Sequence, residues 1–102
     1  MILEVAMLTV HAGQESAFET AMTKAAPVIA GSRGYLGHEL RRCVETPGRY
    51  VLLVEWDTLE AHTVGFRGSP AFAEWRAILG GFFAEAPMVE HYEGVLKWPA
   101  DR

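Results

Sequence analysis

Three residues of this chain combine reactive or aromatic character with positions where apolar side chains are expected. Arg76 falls with Phe72, Leu79 and Phe83 at i, i+4, i+7 and i+11, the spacing of one helical face. An arginine directed at a core must find an anion, a carbonyl or an aromatic face, because an unpaired buried charge is costly. It is either a charge-stabilising cation in a pocket or a border residue whose stem packs while its head reaches water. His62 shares a face with Leu59 and Phe66 at i, i+3 and i+7. A neutral imidazole there is either a general base working near pH 7 or a core residue with a local hydrogen bond. Trp56 ends an aliphatic run, either as a core plug or as a flat wall against an aromatic ligand, with its N–H as a donor. On a strand, His91 and Tyr92 point to opposite faces, so at most one of them joins a given pocket. His38 shares a face with Leu36 and Leu40.

The elements that must hold these residues follow from the pattern. Residues 2–10 are apolar except for Glu4 and Thr9 and read as a mostly buried strand. Residues 14–30 read as a helix with Phe18, Met22, Ala25 and Ile29 in one stripe. Strands follow at 35–45 and 49–56, joined by the hairpin signal Thr46-Pro47-Gly48. Asp57, with Glu60 three residues on, predicts a capping box for a short helix at about 58–66. Gly65 and Gly68 interrupt that helix, and Ser69-Pro70 restarts it. Pro87 closes the second piece, residues 88–97 form a last strand, and the tail WPADR is expected to be loosely ordered.

The order is βαββαβ, an α+β ferredoxin-like antiparallel sheet with both helices on one face. Its other face is left bare, and the strands do not alternate cleanly enough to give that face to water. A second copy of the chain is the simplest cover, which predicts a homodimer. With 102 residues the chain reads as one domain, 1–102, with a core at about 2–97.

Composition narrows the function classes. The net charge is −4 and the basic residues are scattered, which argues against nucleic acid as a partner. No apolar run approaches a membrane span, and the N-terminus lacks the basic region of a signal peptide, so a cytoplasmic location is expected. The single cysteine, Cys43, reads as a small strand residue. Four histidines and one cysteine show no metal-ligand spacing, and no glycine-rich phosphate loop follows a strand, so neither metal nor cofactor is expected.

The order of elements, the stretch VLLVEWDTLEAH and the following VGFRGSPAFAEWRAIL resemble the antibiotic biosynthesis monooxygenase family over nearly the whole chain. The resemblance implies a dimeric α+β barrel, with two sheets packed face to face and a pocket between sheet and helices in each subunit. It implies a tryptophan at the end of the third strand, a polar aromatic six residues on and an arginine twenty residues on, here Trp56, His62 and Arg76. The quinone-forming oxygenases of the family also use an asparagine four residues before the tryptophan, where this chain has Leu52, and a tyrosine where it has His62. The haem-degrading relatives use an asparagine and a histidine that this chain lacks, near Ala6 and Trp75.

The expected site therefore has His62 and Arg76 as catalytic residues, with Trp56, Phe66, Phe72 and His91 around a small-molecule ligand. The activity implied is a cofactor-independent monooxygenase acting on a small phenol or quinol. The alternatives are a related isomerase or decarboxylase, and a non-catalytic ligand-binding or stress-associated dimer.

Overall fold

Near-continuous apolar strands hide which side chain faces which way, and the ladder register settles it. A computed structural model describes residues 1–99, so Ala100, Asp101 and Arg102 of the tail lie outside the described residues. Strands β1 (Ile2–Thr9), β2 (Tyr35–Arg42), β3 (Arg49–Trp56) and β4 (Met88–Glu93) form one antiparallel sheet in the order β2-β3-β1-β4. Helices α1 (Glu15–Ala30) and α2 (Pro70–Leu79) complete the βαββαβ fold. Between β3 and α2 lies a π-helical turn, Ala61–Phe66.

Glu4, Ala6 and Leu8 of β1 and Tyr50, Leu52, Val54 and Trp56 of β3 are the buried positions of the two central strands. Pairing of Glu4 with Val54 and His91, and of Ala6 with Leu52 and Val89, carries the same face across the sheet. Against it pack Phe18, Met22, Ala25 and Ile29 of α1, Phe66 of the π turn and Leu79 of α2. The opposite face carries Leu3, Val5, Val51 and Leu53, partly exposed, and Met7, exposed, and among the described residues no helix packs over it.

Two strand ends and two caps depart from the sequence expectation; β2 ends at Arg42 instead of 45. The last strand stops at Glu93 instead of 97, because Glu93 pairs with Ile2 and β1 offers no further partner. Val95, Leu96 and Trp98 beyond it are exposed. The cap of the turn after β3 is Thr58 rather than Asp57: the Ala61 N–H donates to Thr58 Oγ1 at 3.1 Å. Ser69 occupies the N-cap position of α2, yet its hydroxyl turns back and donates to the Phe66 carbonyl at 2.7 Å.

Asp57 lies instead against Gly34. Gly34 has φ +85, and a Cβ there would collide with Asp57 Oδ1 and fall 2.7 Å from the Ala61 Cβ. Its carbonyl accepts the Asp57 N–H at 2.9 Å, which fixes the end of β3 beside the start of β2. Gly34→Ala combines an unfavourable left-handed backbone with a backbone-adjacent clash, and is expected to cost about 2 kcal/mol or more. Thermal unfolding of the variant checks this, and an unchanged midpoint would contradict it.

Candidate active site

Two polar residues are buried among the described residues, Glu4 and His62, and they touch. Glu4 is at an inward position of β1, where strand alternation sends its carboxyl into the core. His62 is carried by the π turn, a feature that often marks functional positions. The i→i+5 bond that defines the turn runs from the Arg67 N–H to the His62 carbonyl at 3.1 Å.

Trp56 Nε1 donates to Glu4 Oε1 at 3.0 Å. His62 Nε2 approaches the same oxygen at 3.4 Å. On its other side His62 Nδ1 lies 2.7 Å from His91 Nε2. The Trp56 ring stacks on His62, with centroids 5.3 Å apart and planes 18° from parallel. Trp56, Glu4, His62 and His91 thus form one connected polar chain across β3, β1, the π turn and β4.

Burial pushes the Glu4 carboxyl above its ordinary value, while the Trp56 hydrogen bond and the positive charge of Arg67 pull it back. Burial, with Arg67 and His91 adding repulsion, lowers His62 to about 4. His91 is lowered as well, by burial and by Arg67. His62 is therefore neutral at pH 7, and its approach to Glu4 is not an ion pair.

Beside this chain a cavity of about 530 Å³ opens between the sheet and the helices. That is the size range of small-ligand sites. Its apolar walls include Ala6, Leu8, Met22, Ile29, Leu52 and Leu79. Glu4 and His62 are among its polar lining, with Arg67, Arg76 and Glu85. No cluster of three His, Cys, Asp or Glu side chains able to hold a metal ion occurs among the described residues.

The expected site residues are placed unequally. His62, Arg76, Phe66 and Phe72 all line the cavity. Arg76 is exposed, with its guanidinium carbon 5.8 Å from the Phe72 ring centroid, a cation–π placement at the edge of α2. Trp56 is fully buried and does not line the cavity; it backs His62 and anchors Glu4. His91 is half-buried and also outside the lining, and it reaches the site through His62. His38 bonds instead with the Tyr35 hydroxyl at 2.5 Å.

Glu4 and Arg67 were not singled out by the sequence. The available signal for Glu4 was a carboxylate in an apolar strand, in phase with Ala6 and Leu8. Arg67 follows the π turn, whose phase no α-helical count reproduces.

Comparison with known proteins agrees with this architecture. The sequence matches the family model of antibiotic biosynthesis monooxygenases over residues 1–78. The uncharacterized protein YczJ of Bacillus subtilis (strain 168) is 50% identical over 95 residues, which is 93% of this chain and 100% of YczJ. A Bordetella bronchiseptica structure bearing the same family name is 43% identical, with a TM-score of 0.91 over 93% of this chain and 97% of that one. SnoaB from Streptomyces nogalater, described as a cofactor-independent oxygenase, shares the fold at 22% identity, with a TM-score of 0.81 over 97% of each chain. The chain belongs to the antibiotic biosynthesis monooxygenase family.

Proposed function

We propose that this protein is a cofactor-independent monooxygenase acting on a small phenol or quinol held between its sheet and helices. The observation that carries this reading is a buried, neutral histidine meeting an apolar cavity of about 530 Å³ whose lining also includes two arginines. The fold shared with SnoaB, an oxygenase described as cofactor-independent, supports it.

The substrate supplies the electrons. Loss of its hydroxyl proton to the buried polar chain leaves a phenolate that reacts with O₂ at a ring carbon. One oxygen atom becomes the new carbonyl. The other leaves as water with two hydrogens, one from that carbon and one from the hydroxyl, so phenol plus O₂ gives quinone plus water. Arg76 is the catalytic cation of this proposal and stabilises the developing negative charge, while His62 belongs to the proton-accepting chain. Phe66 and Phe72 flank the ring. Trp56 and His91 act from behind, through His62.

Oxygen-electrode measurements with 1,4-dihydroxynaphthalene and related quinols test the reading. Uptake above autoxidation is expected at neutral pH, and it should be lost at the latest as pH falls through about 4, where His62 charges. Arg76→Leu should lower the rate roughly tenfold. No uptake above background across the panel overturns the proposal. The buried Glu4–His62–His91 chain favours cofactor-free isomerisation or decarboxylation as the second reading, and turnover without O₂ would select it.

The protein is further proposed to work as a homodimer through the sheet face that carries Leu3, Val5, Met7, Val51 and Leu53. Among the described residues no helix covers these side chains, which are partly exposed or, for Met7, exposed.

A further inference from the structure

We propose that Glu4 is the general base of this site, taking the proton of a bound aromatic hydroxyl on Oε2, with His62 and His91 as the residues that position its carboxylate. The proposal rests on reading the cavity as a site for phenols and names the group within it that meets the hydroxyl.

His62 is the obvious base, yet its ring has little left to offer. Nδ1 is 2.7 Å from His91 Nε2. Nε2 is turned to Glu4 Oε1 at 3.4 Å. One ring face is covered by Trp56. An ionised carboxylate only accepts, so the Nε2 facing it carries the hydrogen. Nδ1 is then the acceptor, and His91 Nε2–H is its donor. In this arrangement each ring nitrogen of His62 already faces a polar atom of the protein.

Glu4 is differently placed. Oε1 takes the Trp56 N–H at 3.0 Å and the approach of His62. Oε2 takes no hydrogen bond from any described residue, while the Glu4 side chain lines the cavity. A carboxylate fixed through one oxygen, in a largely apolar cavity, is arranged to accept a proton on the other. Burial also raises its basicity. Groups facing it are His62 from the π turn, His91 from β4 and the Arg67 guanidinium. In the step itself the phenol O–H bond breaks, the proton bonds to Oε2, and the electron pair stays on the phenolate oxygen. Arg67 and Arg76, also in the lining, then suit a ligand with a second electron-rich oxygen away from the hydroxyl.

The test is binding of 4-nitrophenol to the ¹⁵N-histidine-labelled protein, buffered about one unit below the phenol's own pKa. The phenolate absorption band, the histidine ¹⁵N shifts and the infrared carboxyl region are followed together. The wild type is expected to show the phenolate band, a new protonated-carboxyl stretch and an unchanged neutral His62. Glu4→Gln keeps an acceptor for Trp56 and should lose the phenolate band by roughly tenfold or more while still binding the phenol. An imidazolium signal from His62 on binding would overturn the assignment, as would a full phenolate band in Glu4→Gln. The infrared and ¹⁵N readouts need only the wild type, so the proposal stands or falls even without a folded variant. Absence of any binding by the wild type overturns the phenol reading as well. Phenolate formation on Glu4 without O₂ uptake leaves the base assignment standing and removes only the oxygenase.

Discussion

Trp56→Ala is expected to lower the unfolding free energy by roughly 3–5 kcal/mol, a large share of what a domain of this size has. The side chain is fully buried. It packs edge-on to Tyr35 at 6.2 Å, stacks on His62 and lies 5.9 Å from Phe66. Alanine leaves a hole between β3 and the π turn, and it strips Glu4 Oε1 of its N–H donor. Trp56→Phe separates the two losses. It keeps most of the ring volume and removes only the donor, and is expected to cost about 1–3 kcal/mol. Urea unfolding followed by far-ultraviolet circular dichroism measures both. An alanine variant within about 1 kcal/mol of the wild type would mean that Trp56 is not the core anchor described.

The second large effect is on acid stability. His62 binds a proton near its ordinary 6.5 in the unfolded chain and only at about 4 when folded. Between those values the unfolded state holds more protons, so stability falls as pH is lowered through this window. The difference corresponds to roughly 3 kcal/mol, present above 6.5 and lost by about 4. His91 and His38, both lowered by burial, act in the same direction. Glu4 opposes them. Its folded-state value is raised, so its contribution is fully present below the ordinary 4.5 and is lost as pH rises through the folded value. The histidines steepen the fall in stability towards acid, and Glu4 acts against them. Urea midpoints at several pH values between 7 and 4 should fall steeply for the wild type and less steeply for His62→Gln. Parallel slopes for the two proteins would refute the linkage.

The element order was legible because strand runs, the Phe18–Ile29 stripe and the glycine and proline breaks all point to the same order. Facing was less legible. Glu4 sits in a strand where both neighbours are apolar, so only the pairing of β1 with β3 and β4 shows that its carboxyl is inward. His62 and Arg76 were visible from helical spacing, and both line the cavity. Trp56 was visible as an odd aromatic, but whether a buried ring meets a cavity or backs another side chain depends on packing that no periodicity encodes. The extent of β4 was misjudged for a comparable reason: Val95 and Leu96 are strand formers, and the strand ends where its neighbour does.

The π turn also bears on how positions are counted between relatives. It holds one more residue than an α-helical turn, so everything after it is shifted in phase relative to everything before it. Trp56 lies on the near side of the turn and His62 at its start. Arg67 and Arg76 are counted across it. A relative that replaced Ala61–Phe66 with an ordinary helical turn would have to place its arginine one residue earlier to face the same space. Within this fold the distance from strand end to cation is therefore a property of the turn's winding, and a single-residue gap there marks a rewound helix rather than a lost site.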